Sequence, residues 1–286
     1  MGPLQGNKAI AMLDAAAKGK YGIPAIVVYN LEATIATVRA AEHKRSPAML
    51  LLFPWALDYA ATTLLAACAH AARTAAVPIT VHMDHAQDPA MIRHAADTGM
   101  FDSIMVDMSH QADESNLQRT GELTRYCHDR GVAVEAEPGR IEGGEDGISD
   151  TADLEGLLTT SAQARDFVAT GIDWLAPAFG NVHGSYGPRG IRLEYDRLAA
   201  IHKAVGAEVR LVLHGTDGWD EAIFRRCIEH GATKVNINQA VNKRYMEVQQ
   251  QHQGTQGITR LMEEGTSAMQ QVVEELMDWL GSSGKA

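Results

Sequence analysis

Short runs of consecutive apolar residues alternate along this chain with longer stretches in which apolar residues recur every three or four positions. The short runs, at 23–29, 49–53, 79–83, 103–107, 132–137, 174–178, 209–213 and 234–237, predict strands. They are apolar almost throughout rather than at every second position, which suits parallel strands covered on both faces. Ala- and Leu-rich stretches between them, such as 59–74, 89–98, 115–130, 162–170, 193–205 and 220–230, predict helices. Several end in a stop glycine, as in "DTGM", "DRGV", "ATGI" and "EHGA". The alternation predicts an α/β fold, a (β/α)8 barrel. An open doubly wound sheet is the runner-up, disfavoured because no glycine-rich dinucleotide turn follows the first strand.

Two segments interrupt the rhythm. Residues 138–158 form a polar, glycine-bearing connection of a length usually reserved for functional loops. After Gln249, residues 265–280 predict a further helix that packs outside the barrel or on a partner subunit. No repeat beyond the βα period and no boundary interrupts 1–286, so one domain with extra C-terminal helices is expected.

Composition narrows the partners. The chain has 286 residues, 45% of them hydrophobic, and a formal net charge of -11, without the basic face that a nucleic-acid binder needs. No apolar run reaches the roughly 18 residues that span a bilayer, and the first residues lack the apolar core of a secretion signal. Cys68, Cys127 and Cys227 lie far apart with no CxxC spacing. They read as reduced thiols of a cytoplasmic protein.

The candidate chemistry sits at strand ends. His85 in "PITVHMDHAQD", His183 in "WLAPAFGNVHGSYG" and His214 in "VRLVLHGTDG" each close an apolar run. In a barrel of this kind the active site lies at the carboxyl ends of the strands. Three neutral imidazoles there make a shell for zinc with a fourth position open. Asp84, beside His85, is placed to reach a substrate oxygen. Glu145, in the "EGGEDG" loop, reads as a carboxylate that swings in as a base. Asp107 is expected to orient a histidine. Glu137 reads as either ligand-like or a buried partner, and His82 as structural. Lys234, read as the start of its strand, is expected at the wrong end for Schiff-base chemistry.

These blocks, with "VEAEPGRIEGGEDG", "FGNVHGSYG", "LVLHGTDG", "TKVNINQA" and the opening "YGIPAIVVYNLEA", resemble in order the class II, metal-dependent fructose-bisphosphate and tagatose-bisphosphate aldolases. The resemblance runs from about residue 8 to 245. It implies a (β/α)8 barrel, commonly dimeric, with one Zn2+ per subunit and a place for a monovalent cation. It carries metal ligation onto His85, His183 and His214, and the acid/base at the acceptor carbonyl onto Asp84. Removal of the donor α-proton falls to Glu145, and a carboxylate near the metal to Glu137. Gly184 and Gly215 match backbone contacts to the donor, and Asn236 a donor-binding asparagine. Its chemistry is aldol addition and cleavage of a small carbonyl compound through a zinc-stabilised enediolate.

The chain departs from the family pattern where phosphate is held. Asp217 stands where a serine is usual. Asn236-Ile237-Asn238-Gln239 replaces a block ending in threonine, and Gly187 replaces a lysine. Phe53-Pro54-Trp55 takes the place of a small hydroxyl residue followed by Pro-Gly, and Val27 that of an asparagine. Asp217, Asn238, Gln239 and Phe53 therefore join the candidate substrate-binding residues. The expected donor is not an ordinary phosphorylated triose. The alternative is a conventional fructose-1,6-bisphosphate or tagatose-1,6-bisphosphate aldolase with a rearranged phosphate site. There Arg189, Lys243 or Arg244 supplies the cation, and Asp217 caps the helix near Trp219. A metal-dependent hydrolase or isomerase, and a noncatalytic metal-holding relative, are the remaining readings.

Overall fold

The computed structural model describes residues 4–144, 155–252 and 254–286. Its strands are β1 (Ile23–Val27), β2 (Ala48–Leu52), β3 (Ile79–Ala86), β4 (Ser103–Val106), β5 (Ala133–Ala136), β6 (Glu142–Gly143), β7 (Trp174–Leu175), β8 (Val182–His183), β9 (Arg210–Leu213) and β10 (Ala232–Ile237). Eight of them close a parallel barrel in the order β1, β2, β3, β4, β5, β7, β9, β10, with β10 returning to β1. β6 and β8 pair separately, in parallel. The helices are α1 (Lys8–Gly19), α2 (Leu31–Lys44), α3 (Pro54–Ala60), α4 (Thr63–Thr74), α5 (Pro89–Asp97), α6 (Asp113–His128), α7 (Ser161–Val168), α8 (Tyr195–Val205), α9 (Glu221–Glu229), α10 (Gln239–His252) and α11 (Ile258–Trp279). Among the described residues no helix is long and apolar enough to cross a membrane.

Local chemistry explains the punctuation. Asn30, Asp88 and Asp220 accept backbone N–H bonds in the first turns of α2, α5 and α9. Thr160 and Gln163 form a reciprocal cap on α7. The four predicted stop glycines all adopt positive φ, from 64° at Gly99 to 100° at Gly231, a region that costs a side chain but not glycine. The expected helix over 59–74 is two helices, broken at Ala61 with φ 47°.

Burial divides in two. One apolar layer lies between strands and outer helices, including Ile26, Leu50, Val81, Ile104 and Leu213. The other fills the barrel, with Ile23, Met49, Leu51, Met105, Trp174 and Val212. α1 adds Ala9, Leu13 and Ala16 to that interior layer. Its cap Asn7 also donates from Nδ2 to the carbonyls of Asp102 (2.8 Å) and Gly131 (2.9 Å), just before β4 and β5. α1 thereby stoppers the end where strands begin and leaves the opposite end for chemistry.

α11 packs against α2 and α10 of its own chain. Ser46 Oγ donates to Ser282 Oγ at 2.7 Å, and Lys44 Nζ to Asp278 Oδ2 at 2.6 Å. Met277 is fully buried there. Met277→Ala is therefore expected to lower unfolding free energy by about 2–5 kcal/mol. Urea denaturation should give the same loss at every protein concentration, since the helix's partner lies within the chain.

Candidate active site

The sequence "HMDH" poses a geometric problem. Successive residues of a strand point to opposite faces, yet Asp84 and His85 are both candidates for one site. β3 solves it with a register shift between Met83 and Ala86. His85 itself takes φ 44°, a conformation sparsely populated by residues other than glycine. The bulge turns His85 inward beside Asp84, and both are buried.

His85, His183 and His214 come together from three strand ends, with their ligand nitrogens all within 4.8 Å of one another. His85 donates from Nδ1 to Asp107 Oδ2 at 2.8 Å. His214 donates from Nε2 to Glu135 Oε1 at 2.8 Å. Each carboxylate takes the proton on the outer edge of its ring, so in the neutral rings that a metal requires the remaining nitrogens turn lone pairs inward. Those nitrogens, His85 Nε2 and His214 Nδ1, stand 2.9 Å apart. His183 is buried with neither ring nitrogen bonded. A buried imidazole without partners is costly, and a shared cation satisfies all three rings at once. The residues fit a metal ion of the kind that imidazoles bind.

The carboxylates act together on these rings. Burial pulls the His85 imidazole down, but Asp84, Asp107 and Glu137 outweigh it and push it up to about 10. Burial, with the neighbouring rings, drives His183 well below the usual range, and burial lowers His214 despite Glu135. Burial raises Glu137, reinforced by Asp107, up to about 8. Its Oε1 accepts from the Ile141 N–H at 2.7 Å, while Oε2 is buried without a partner. Glu137 also shares a possible ligand cluster with His85 and Asp107. The carboxylates therefore favour positive charge on His85 alone, while burial keeps His183 and His214 neutral.

Asp84 accepts from Asn236 Nδ2 through both carboxylate oxygens, at 3.0 and 2.9 Å. Burial opposes its ionisation, but His85, His82, His214 and Lys234 hold it well below the usual carboxylate range. Asn236 is thus a clamp on Asp84, with its own Oδ1 buried and unbonded. Gly184 and Gly215 have φ 76° and 65°. A side chain on Gly215 would collide with the backbone of Val182. Tyr186 donates to the Gly215 carbonyl at 2.6 Å, and Asn181 donates to the His214 carbonyl at 3.0 Å. β6 lies along β8, so the first described stretch of the long loop runs to Gly144, beside Gly184. Glu145 lies outside the described residues.

Two expectations are corrected. Lys234 does not start its strand: β10 begins at Ala232, and the Lys234 side chain is wholly buried. Its Nζ donates to Glu135 Oε2 at 2.7 Å and lies 3.4 Å from His82 Nε2. Buried inside the barrel and engaged by Glu135, it is kept from Schiff-base chemistry for a different reason from the one expected. Asp217 does not cap the helix near Trp219, because Asp220 does. Asp217 instead accepts from the backbone N–H of Gln239, the first residue of α10. Its Oδ2 is buried and unbonded, and burial raises its pKa. With Thr216, Trp219, Gln239, Lys243 and Trp279 it lines a cavity of about 400 Å³. Asn238 donates to Tyr29 Oη at 3.0 Å, and Phe53 lies with its ring 6.2 Å from that of His85. Among the expected substitute cations, Arg189 is paired with Glu142 and Arg244 with Glu247.

The sequence reading missed Glu135 and the roles of Asn181 and Tyr186. Glu135 carried a signal: an acid within an apolar strand, two positions from Glu137, must find a partner on the same interior face.

Fold and site together define a (β/α)8 barrel enzyme with its reactive groups at the carboxyl ends of the strands. The family described as "Fructose-bisphosphate aldolase class-II" matches residues 7–285. A Coccidioides immitis (strain RS) protein named "Putative fructose-bisphosphate aldolase" is 58% identical over 290 residues, covering 99% of this chain and 96% of that protein. The crystal structure of a "putative fructose-1,6-biphosphate aldolase" from Coccidioides immitis superposes with a TM-score of 0.97, at 59% identity and 99% coverage of both chains. That of the YdjI aldolase from Escherichia coli K12 gives 0.85 at 28% identity, over 97% of this chain and 98% of that one. The fructose-bisphosphate aldolase of Campylobacter jejuni shares the fold, with a TM-score of 0.80 at 22% identity and 100% coverage of both. The chain belongs to the class II fructose-bisphosphate aldolase family. It is an aldolase, a carbon–carbon lyase, and the hydrolase, isomerase and noncatalytic readings are not favoured.

Imidazoles must be neutral to bind a metal. In the cation-free protein His85, near 10, and Glu137, near 8, both hold protons at neutral pH. Binding of Zn2+ at neutral pH is expected to expel about one to two protons. Calorimetry in buffers of different ionisation enthalpy counts them. The number should fall as pH rises through about 8 and then about 10, and affinity should weaken as pH falls.

Proposed function

We propose that this aldolase is zinc-dependent and that its donor is not an ordinary phosphorylated triose. Zinc ligation falls to His85, His183 and His214, with Glu137 and Asp107 beside them. The bound cation would supply positive charge for the oxygen that becomes anionic as the carbon–carbon bond breaks. Asp84 acts at the acceptor end. In cleavage its ionised carboxylate takes the proton of the hydroxyl whose carbon becomes the aldehyde, and in addition it returns that proton. Asn236 fixes the carboxylate in place and offers Oδ1 to a substrate hydroxyl. Glu145 is assigned the donor α-proton. Gly184 and Gly215 let the backbone approach the donor.

The observation that carries the donor reading is the bond between Asp217 and the N–H of Gln239. The first amides of a helix are a ready anion site, and here the protein's own carboxylate occupies it. A phosphate placed roughly 5 Å from an ionised carboxylate costs about 3 kcal/mol per charge pair at an effective dielectric near 20. The unbonded Oδ2 suits a donor bearing a hydroxyl or ammonium there. Gln239 and Asn238 complete that end. The buried free thiols of Cys68, Cys127 and Cys227 support a cytoplasmic location. The exposed Met246, Ile258 and Met262 of α10 and α11 support assembly as a homodimer or higher oligomer.

Zinc-loaded enzyme is expected to cleave fructose 1,6-bisphosphate weakly or not at all. Asp217→Ser should raise kcat/KM for that substrate by about 10- to 100-fold, the factor that removing a few kcal/mol of repulsion gives. Steady-state cleavage assays measure both. Ordinary aldolase rates in the unaltered enzyme would overturn the donor reading.

A further inference from the structure

Of the three candidate ligand rings, His183 has the least to hold it. His85 is on β3 and His214 directly follows β9, and both strands belong to the closed barrel. His183 is on β8, which lies outside the barrel and, among the described residues, pairs only with the two-residue β6. Asp107 and Glu135 orient the other two rings. Neither nitrogen of His183 has a partner, although its ring stands 4.8 Å from that of His85 and 5.7 Å from that of His214. Whatever places this ring therefore acts through the backbone beside it.

Tyr186 is built to do so. Gly184, at φ 76°, turns the chain, and Tyr186, three residues beyond His183, folds back over β8. Its hydroxyl accepts from the Val182 N–H at 3.3 Å and from the Trp219 indole N–H at 2.9 Å, and donates to the Gly215 carbonyl at 2.6 Å. Val182 immediately precedes His183, and Gly215 immediately follows His214. One oxygen thus ties together the backbones beside two rings. Its single proton and its accepting lone pairs are all in use. Burial pushes the phenol up to about 12, so the proton given to Gly215 stays in place. Asn181 adds a second tie: Oδ1 accepts from the Phe179 N–H at 2.8 Å while Nδ2 donates to the His214 carbonyl at 3.0 Å. Gly215 lets the two segments close, since a side chain there would meet the Val182 carbonyl.

We propose that Tyr186 is a positioning residue for metal binding: its hydroxyl fixes the spacing between the His183 and His214 backbones, in place of the carboxylate that His183 lacks. Tyr186 acts through these two residues and not on the metal or the substrate. The role rests on the reading of His85, His183 and His214 as zinc ligands, and adds the group that holds the one ligand outside the barrel.

The test is a double-mutant cycle read by zinc affinity, measured by competition with a chelator on the full chain. The four proteins are the unaltered chain, Tyr186→Phe, His183→Ala and the two substitutions combined. Tyr186→Phe keeps the ring and removes the hydroxyl, and is expected to weaken Zn2+ binding by about 10- to 100-fold. In the His183→Ala background the same change should cost no more than about twofold, because His214 keeps Glu135 and its barrel strand. A general loosening of the fold would weaken both backgrounds equally. Trp219→Phe removes one of the three bonds and should weaken binding by a smaller factor with the same dependence on His183. It carries the cycle if Tyr186→Phe does not fold. Undiminished affinity in Tyr186→Phe, or equal losses in the two backgrounds, would overturn the proposal and leave the zinc reading standing. Unchanged affinity in His183→Ala would sink the reading of that residue as a ligand, and the role of Tyr186 with it.

Discussion

The site depends on two carboxylates that take the protons from the outer edges of two imidazoles. Asp107 does so for His85 and Glu135 for His214. Both inward lone pairs then face the same small space, an arrangement that neutral rings alone would resist. The rest of the interior serves this requirement. Glu135 is buried among strands, and a carboxylate there must be compensated. Lys234 compensates it from across the barrel. Asp107 is held by the backbone N–H of Ser109 and by its hydroxyl at 2.6 Å. A buried ion pair is weak evidence of added stability. Its value here lies in fixing which nitrogen of His214 is free.

The same network reaches Asp84. His82 lies 3.8 Å from Glu135 and 3.7 Å from Asp84, with Lys234 close to its ring. Asn236, two residues beyond Lys234 on β10, reaches Asp84 directly. One interior face of β10 therefore supports both the His214 ring, through Glu135, and Asp84. The bulge in β3 completes the arrangement. A non-glycine residue held at φ 44° stores about 1–3 kcal/mol of strain. It persists because Asp107 anchors the His85 ring that the bulge re-aims.

Much of this was legible in the sequence. Parallel barrel strands are apolar on both faces, so each appeared as a short uninterrupted run. His85, His183 and His214 stood out because each ended such a run, and Asp84 because it adjoined one. The strands were misjudged where polar residues sit inside the barrel. β3 continues through Asp84 and His85, beyond the expected end at Met83. β10 starts before Lys234, whose partner Glu135 is 99 residues away in sequence. Nothing local predicts such a pair. Asp217 failed for a related reason. Its neighbours suggested a cap for α9, but the amide that it binds belongs to the next helix.

On the proposed function, the departures from the family pattern concern recognition of the substrate's remote parts, not the groups assigned to its reacting carbons. Groups that stabilise charge and move protons must sit within bonding distance of the reacting atoms, so they admit little variation. Recognition of the remote parts of a substrate is freer, and its binding energy can still be used in the transition state. The Asp217 carboxylate on the first amide of α10 is such a departure. It makes no hydrogen bond to the imidazoles or to Asp84, so a change there leaves their arrangement in place. A barrel whose strand ends are rigid and whose loops are separate permits that division. On that reading the imidazoles and Asp84 stay fixed at strand ends while the loops beyond them are free to set selectivity.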